Sequence, residues 1–564
     1  MKAYKLFTAV LAMGLLTQVS CQKDYLDRTP GVTLPEDAVF ASPVLASQYA
    51  INAYNFLVDD YVRFNDHRGT TSQASDEAVT GNLDPSVLYL NQGLFHDHSE
   101  KVASLNDIRD IWSREYNGIN ITNTMLSKMT TVPWTNADQA KRVEGEMHFL
   151  RAFFYFELIK RFGGVPIMDK AYGVNDDIDF PRASYTECVN FILADLAKAQ
   201  EQLPRVEDLA LSENGRATVG AVKALKARVL LYAASPLNNE TNDVAKWAAA
   251  AAAAKEVMDM GSYMLQPTYK DILNVTSSTE YIMMKVRATR PNTEPKVIDF
   301  AQSPGSAGAN GQMNPTQNHV DLYEMTNGRA ITDPSSGYDP QKPYANRDPR
   351  MTWNVIYNDE TYQSRKIEMW SQTNATTGAI TYGRDYNANN IIYTATRYYC
   401  RKMWPEVYIN KVAGATYINF LFFRYAEILL NYAEAQNEAV GPDASVYAAI
   451  NQIRARGDVN MPALPSGLTQ AQMRDRIRNE RAVELAFEDH RWYDIMRWKK
   501  GVEIVAQPIY AMNVVKNANG SFTYTKVLMA TNYQKVFKDF MHRYPIPRSE
   551  IYKSQGKLIQ NPGW

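Results

Sequence analysis

Apolar residues with a helical period occupy long stretches of this chain. The clearest stretch is "AKRVEGEMHFLRAFFYFELIKRFGGVP", from Ala140 to Pro166. Apolar positions recur there at steps of three and four and form two sides, at Met147, Leu150, Phe154 and Leu158 and at Phe149, Phe153 and Phe156. A helix that is apolar on two sides lies between layers of a protein. Two glycines and a proline then end the predicted helix.

Four further stretches have the same period. They read "TVGAVKALKARVLLYAASP", "WAAAAAAAKEVMDMG", "FFRYAEILLNYAEAQNEAVG" and "ASVYAAINQIRARG". A pattern A-x-[VI]-L-L…Y-A occurs at Ala227 and again at Ala426, each time before an alanine-rich second helix. Small residues on one face let a partner helix approach closely, as in tetratricopeptide-type units. The pattern predicts a mainly α fold with tetratricopeptide-like helix pairs in a degenerate array, and a generic helical domain is the alternative.

Two polar stretches interrupt the helical pattern. Residues 60–100 are loop-like, and residues 285–410 are rich in Asn, Gly, Pro, Thr and Tyr with short alternating runs such as "MTWNVIYN". Loops longer than about 15 residues in a compact protein are usually functional or disordered. The Tyr, Trp and Asn content favours ordered excursions with hairpins, and therefore a binding face.

The N-terminus has the pattern of an export signal. Lys2 and Lys5 precede the apolar run Leu6 to Leu16, which is about half of the roughly 20 residues that a membrane-spanning helix needs. Small residues and then Cys21 follow, so residues 1–20 are predicted to be a secretory signal. The site resembles a bacterial lipobox, in which cleavage precedes a lipidated cysteine, although Gln18 replaces the usual Leu. An ordinary signal peptide followed by a free or disulfide-bonded Cys21 is the alternative.

Charge and cysteine content narrow the possible functions. The chain has 60 Lys+Arg against 61 Asp+Glu, so there is no electrostatic case for binding nucleic acid or an anionic membrane surface. Besides Cys21 the chain has only Cys188 and Cys400. Two cysteines so far apart do not make a disulfide framework, and their spacing leaves open whether they pair.

The C-terminal stretch "RNERAVELAFEDHRWYDIMRW" combines charge with aromatic residues. Glycoside hydrolysis needs paired carboxylates, and charged residues recur here at helical steps, at Arg481, Glu484, Glu488 and Arg491. A neighbouring guanidinium lowers a carboxylate pKa and makes a poor general acid. We therefore interpret the four residues as an ion-pair network along one helix side and predict no catalytic residue. Three aromatic residues are predicted to be core: Trp492, Tyr493 and Trp498.

Other motifs give weak signals. His96 and His98 flank Asp97, but the chain has no H-E-x-x-H pattern. The stretch "SPGSAGANG" lacks the G-K-[ST] of a phosphate-binding loop. We therefore predict neither a metal site nor a cofactor.

Several long phrases together resemble the SusD/RagB family. Beside the lipobox-like start they are "CQKDYLD", "EGEMHFLRAFFYFELIKRFGGVPI", "NPTQNHVDLYEMTNG", "NRDPRMTWNVIYN", "FFRYAEILLNYAEAQNEA", "INQIRARG" and "HRYPIPRSEIYKSQGKLIQNPGW". They cover nearly the whole chain. The expected organisation is a signal peptide over 1–20, an N-terminal helical region over 21–284 and a C-terminal region over 285–564 that includes the loop-rich insertion 285–410.

The resemblance implies a function as well as a fold. Proteins of this family carry four tetratricopeptide-like helix pairs and sit on the outer face of the outer membrane through a lipidated cysteine, here Cys21. They bind a nutrient, most often an oligosaccharide, and pass it to a SusC-type TonB-dependent transporter without breaking a bond. Asp24 and Asp27 would fit an acidic surface-export signal, from which Lys23 departs.

Glycan-contacting residues are expected on the two excursions. A saccharide ring has an apolar face and a fringe of hydroxyls, so its site needs an aromatic ring and several polar groups on a fairly rigid loop. Residue chemistry and loop position select Asp76, Asn82, Tyr89, Asn91, Arg290, Asn292, Asn310, Gln312, Asn314 and Trp370, whereas Trp353 is expected to be packed. Two alternatives stay open, namely a peptide or glycopeptide cargo and a helical glycoside hydrolase.

Overall fold

The computed structural model of the chain describes residues 35–57, 70–81, 90–94, 107–173, 176, 180–273, 275, 277–286, 311–362, 364–402 and 419–564. Helices dominate these residues. Their bounds are α1 (Glu36–Phe40), α2 (Pro43–Asn52), α3 (Thr71–Ala74), α4 (Asp107–Lys128), α5 (Ala137–Phe162), α6 (Tyr185–Gln202), α7 (Val219–Ala234), α8 (Val244–Met258), α9 (Gln317–Val320), α10 (Arg350–Asn354), α11 (Tyr425–Val440), α12 (Ala444–Arg454), α13 (Gln470–Glu484), α14 (Arg491–Arg497), α15 (Gly501–Ile504) and α16 (Arg548–Lys553).

The long helices stack in chain order. Helix α4 packs on α5, α5 on α6, α6 on α7 and α7 on α8. Helix α8 then packs on α11, which contacts both α12 and α13. This stack of neighbouring helix pairs confirms the predicted mainly α, tetratricopeptide-like architecture.

Helix α5 lies at the centre of the stack. The Asn136 side chain caps its N-terminus by accepting hydrogen bonds from the amides of Asp138 and Gln139, at 2.9 and 3.1 Å. All residues from Gly145 to Ile159 are buried, as the two apolar sides predicted. The helix ends at Gly163, whose φ of 78° lies in the left-handed region that favours glycine. The sequence pattern therefore placed this helix correctly.

Short strands hold the excursions against the helices. They are β1 (Ala78–Thr80), β2 (Tyr281–Lys285), β3 (Met313–Pro315), β4 (Val355–Ile356), β5 (Thr361–Tyr362), β6 (Arg365–Lys366), β7 (Ser371–Thr373), β8 (Ile380–Tyr382), β9 (Tyr399–Cys400), β10 (Phe420–Arg424), β11 (Tyr510–Lys516) and β12 (Phe522–Leu528). Four of them form one sheet in the order β12-β11-β7-β8. The antiparallel pairs β5–β6 and β7–β8 confirm the predicted hairpins in the insertion.

Three local predictions were wrong. The helix expected from Phe422 begins at Tyr425, because residues 420–424 form strand β10 and pair with β2. The first half of the alternating run "MTWNVIYN" belongs to helix α10, and the two-residue strand β4 follows it. The charged C-terminal stretch is not one helix, because α13 ends at Glu484 and Phe487 and Asp489 have φ values of 63° and 66°. Its charged residues therefore do not lie along one helix side.

Two predictions concern connections across the chain. Cys188 and Cys400 are both buried and are not joined to each other by a disulfide, which settles the pairing that the sequence left open. The expected division after residue 284 lies within strand β2, and it stays a prediction. Among the described residues, no helix combines the length and the apolar character that a membrane crossing requires.

Candidate functional site

Strands β1 and β3 bring four of the predicted glycan-contacting residues together. The antiparallel ladder places Val79 opposite Asn314, and the Gly81 amide donates to the Gln312 carbonyl at 2.8 Å. The first excursion is thereby joined to the early part of the second. Gln73 links Asn91 to this ladder, because its side chain donates to the Gln312 carbonyl and its backbone carbonyl accepts from the Asn91 side-chain amide. Asp76 lies two residues before strand β1.

Asp76 is held by a buried arginine. Its two carboxylate oxygens accept hydrogen bonds from Arg491 Nε and Nη2, both at 2.8 Å. Burial opposes ionisation of Asp76, but the Arg491 guanidinium outweighs it and keeps the Asp76 pKa below its usual value. The Asp76 carboxylate therefore forms a buried ion pair with the Arg491 guanidinium.

The other three residues of this group are buried as well. Asn314 donates from Nδ2 to the Gly311 carbonyl at 3.0 Å and accepts from the Ala395 amide at 2.9 Å. Asn91 is 7% exposed and Gln312 is 5% exposed. Such burial does not fit the predicted direct contact of these side chains with a ligand, and they instead fix the stems of the excursions.

The remaining predicted residues divide into two groups. Trp370 is half-buried at the start of strand β7, on the four-stranded sheet and apart from the β1–β3 ladder. Six predicted residues lie outside the described part of the chain: Cys21, Asn82, Tyr89, Arg290, Asn292 and Asn310. Trp353 packs partly against the core, with the Arg401 guanidinium 4.7 Å from its ring centre, as expected.

A set of half-buried rings runs from the insertion to the β11–β12 hairpin. We call it the aromatic band, and it consists of Tyr344, Tyr357, Trp370, Phe522 and Tyr524. The Tyr344 and Tyr357 rings stack with centres 4.3 Å apart and an interplanar angle of 30°. The Tyr344 ring meets the Tyr524 ring edge-on at 5.5 Å, and Tyr524 is 6.3 Å from Phe522. These contacts give the band a fixed shape.

Lys516 connects Trp370 to the rest of the band. It lies directly opposite Phe522 in the β11–β12 ladder, so both side chains are on the same face of the sheet. Its Nζ is 4.4 Å from the centre of the Trp370 ring, which is cation–π distance. Trp370 therefore belongs to one surface with the hairpin, although about 150 residues of chain separate them.

Polar groups accompany the rings. Asn358 donates to the Tyr524 hydroxyl at 3.2 Å and accepts from the Met369 amide at 2.9 Å. The Gln341 side chain exchanges hydrogen bonds with the Tyr524 backbone, at 3.0 and 3.2 Å. Burial raises the pKa of Tyr524, which keeps its phenol neutral. Flat apolar rings edged by neutral amides and hydroxyls match the two kinds of surface on a saccharide ring.

The buried charges form a structural network. Arg424 binds three carboxylates, with distances of 2.7 Å to Glu488, 2.7 Å to Glu280 and 2.9 Å to Glu484. Burial alone would raise the pKa of Glu488, but Arg424 and Lys402 hold it below its usual value. The predicted ion-pair network is confirmed, although its partners come from distant segments. Trp492, Tyr493 and Trp498 are core residues, each no more than 2% exposed.

Among the described residues, no group of three or more His, Cys, Asp or Glu side chains is arranged so that it could hold a metal ion. His96 and His98 lie outside the described residues. The carboxylates of the buried network, such as Glu484 and Glu488, are already bound by arginine and lysine.

Comparison with known proteins places the chain in a family. The family model for the SusD family matches residues 272–564, and a second model, described as "Starch-binding associating with outer membrane", matches residues 24–231. The chain therefore belongs to the SusD family. It is 24% identical to SusD-like protein P2 of Formosa agariphila, with 100% of both chains covered.

Solved structures share the fold. A SusD-like protein from Bacteroides fragilis is 28% identical, with a TM-score of 0.75 over 94% of this chain and 99% of that one. A SusD-like carbohydrate-binding protein from the same species is 21% identical, with a TM-score of 0.74 over 92% and 99%. A laminarin-binding SusD-like protein is 21% identical, with a TM-score of 0.62 over 93% and 100%. The fold is thus common to this chain and all three proteins.

Proposed function

We propose that this protein is a cell-surface lipoprotein that binds an oligosaccharide or polysaccharide and passes it to a SusC-type TonB-dependent outer-membrane transporter. The aromatic band carries the proposal, because its rings are half-exposed, fixed in position and edged by neutral hydrogen-bonding groups. Membership in the SusD family supports it, as do the structural neighbours described as carbohydrate-binding and laminarin-binding.

Trp370 provides the test of the binding site. Calorimetry of the mature protein against a panel of glycans would identify a ligand, and Trp370→Ala should then weaken binding. Loss of one aromatic contact is worth about 1–2 kcal/mol, or roughly fivefold to thirtyfold in Kd. Trp370→Phe should keep most of the affinity, because it keeps an apolar ring at the same position.

Tyr552 offers a matched control. It is an aromatic residue that is 72% exposed on helix α16, outside the aromatic band. Tyr552→Ala should leave glycan affinity unchanged. Equal effects of Trp370→Ala and Tyr552→Ala would refute the band as the site, and heat released only with peptides would redirect the proposal to a peptide or glycopeptide cargo.

We further propose that binding occurs without bond cleavage. Glu484 and Glu488 are the carboxylates whose spacing in the sequence suggested paired catalytic acids. Both are ion-paired with a buried arginine. Incubation of the purified protein with the bound polysaccharide should release no reducing sugar. Release that Glu488→Gln abolishes would instead support a helical glycoside hydrolase.

Attachment and transfer have separate tests. Lipidation of Cys21 would anchor the protein, because two or more acyl chains hold a protein stably to a membrane. Cys21→Ala should therefore release the protein from the membrane fraction or leave it uncleaved. Co-purification with a SusC-type transporter from detergent-solubilised outer membranes would test the partner, and its absence at native expression levels would count against transfer.

A further inference from the structure

We infer that the ligand of the aromatic band is an anionic saccharide, one that carries carboxylate or sulfate groups. This inference rests on the proposed function and adds the chemical class of the ligand. It depends on the charges around Trp370, which differ from the balance of the chain as a whole.

The two segments that build the sheet are strongly basic. Residues 504–538 contain four lysines and no Asp or Glu, and residues 369–402 contain four basic residues and one Asp. The whole chain, by contrast, has 60 basic and 61 acidic residues. Positive charge is therefore concentrated on the segments that supply strands β7, β8, β11 and β12.

Some of these cations are neutralised by carboxylates from other parts of the fold. Lys526 binds Asp321 at 2.7 Å, and Arg401 lies 3.5 Å from Glu360. Among the described residues, no such carboxylate partner is found for Lys516, Arg397 or Arg384. The excess charge therefore remains at three positions.

Lys516 and Arg397 lie beside Trp370, and Arg384 is one residue away from a backbone partner of Trp370. Lys516 Nζ lies 4.4 Å from the Trp370 ring centre. Arg397 Nη1 donates to the carbonyl of the preceding residue, Met369, at 2.9 Å. Arg384 follows Gly383, whose amide donates to the Trp370 carbonyl at 2.9 Å. Arg397 is 7% exposed, so it contributes charge to the site more than direct contact.

The local negative charges do not cancel this excess. Asp385 is bound by Arg365, with contacts of 2.6 and 2.7 Å. Glu368 adds one further negative charge on the chain just before Trp370. Near Trp370, the four cations Arg365, Arg384, Arg397 and Lys516 are thus accompanied by two carboxylates, Asp385 and Glu368. The other carboxylates beside the aromatic band, Asp359 and Glu360, lie within ion-pair distance of Lys366 and Arg401.

Lys516 gives the site a reason to prefer an anionic saccharide over a neutral one. In the free protein its ammonium rests on the Trp370 ring, which is a weak interaction at a half-exposed site. An anionic group on the ligand forms a stronger, charge-assisted hydrogen bond with the ammonium. The ammonium can then leave the ring and expose it to the sugar, whereas a neutral sugar gives no such compensation for the lost contact.

Calorimetry with three polymers tests the inference. Polygalacturonate supplies carboxylates, carrageenan supplies sulfate esters and dextran is neutral. At low salt the wild-type protein should bind at least one anionic polymer about tenfold more tightly than dextran, and the difference should shrink as sodium chloride rises. Preference for polygalacturonate or for carrageenan would identify which anion the site accepts.

Lys516→Gln removes the charge and keeps a side chain of similar length. It should weaken anionic-polymer binding about tenfold and leave dextran binding unchanged or stronger. Lys526→Gln is the matched control on the same hairpin, because Lys526 lies 4.6 Å from the Tyr510 ring but is already paired with Asp321. It should change neither affinity.

The outcomes separate this inference from the proposed function. Dextran binding that depends on Trp370 and equals anionic binding, or an unchanged affinity in Lys516→Gln, would overturn the anionic preference and leave glycan binding standing. No binding of any glycan by the wild-type protein would overturn both.

Discussion

Arg424 offers a direct test of the buried charge network. Arg424→Met keeps a long apolar stem at this position but removes the guanidinium that binds Glu280, Glu484 and Glu488. Removing one partner of a buried ion pair typically costs about 3–5 kcal/mol, because an unpaired charge is left in the interior.

The expected loss lies at the lower end of that range. Each of the three carboxylates keeps another cation, since Glu488 binds Lys402 while Glu280 and Glu484 lie within ion-pair distance of Arg456. We therefore expect a loss of about 3 kcal/mol. A chain of this length has an unfolding entropy of about 1.1 kcal/mol/K, so the Tm should fall by about 3 °C.

The assay is thermal unfolding of the mature protein, followed by circular dichroism. Arg329→Met is the matched control, because Arg329 pairs with Asp333 on the surface and its side chain is 51% exposed. The control should have the same Tm as the wild type, since exposed ion pairs contribute little to the free energy of unfolding. A Tm for Arg424→Met as high as that of Arg329→Met would refute the view that this network supports the fold.

Three further predictions use the same melting assay. Burial raises the pKa of Asp489 to about 6, so the stability that this group contributes is full below its usual pKa and is lost as the pH rises through about 6. Asp489→Asn should gain Tm relative to the wild type between about pH 4 and 6.5, and a constant difference would contradict this. Gly501→Ala would place a Cβ 2.1 Å from Phe537 Cε1 and should cost about 1–3 kcal/mol; an unchanged Tm would show that the site has room. Reductant should leave the Tm unchanged, because Cys188 and Cys400 do not form a disulfide with each other, and a lower Tm would reveal such a bond.

Local periodicity was enough to predict the helix stack. Helices α5, α7 and α8 begin and end within a few residues of the apolar runs that predicted them. The same reasoning failed at Phe422–Arg424, because a short apolar run fits a helix or a strand equally well. Pairing with β2, about 140 residues earlier in the chain, decides in favour of a strand there.

The candidate site was harder to predict, because distant segments build it. Trp370 was identified by its chemistry, but Tyr344 meets Tyr357 and Tyr524 only through tertiary packing. The sequence does carry one signal for the β11–β12 hairpin. The pair Asn519-Gly520, between two alternating runs, indicates a hairpin, and its glycine has a φ of 85°.

Asp76 shows the opposite kind of error. The polar stretch "SQASDEAVTG" has the composition of a solvent-exposed loop, yet Asp76 is buried against Arg491, which lies 415 residues further along the chain. Composition cannot reveal such a partner. Loop residues rich in charge are therefore poor candidates for ligand contact until their tertiary neighbours are known.

The β1–β3 ladder has a consequence for how the chain can fold. It pairs Ala78–Thr80 with Met313–Pro315, and the Gly81–Gln312 hydrogen bond continues that contact, although about 230 residues of chain lie between the two strands. Neither strand can complete its backbone hydrogen bonds until the other has arrived. Formation of this ladder therefore has to wait for the intervening helices to be made.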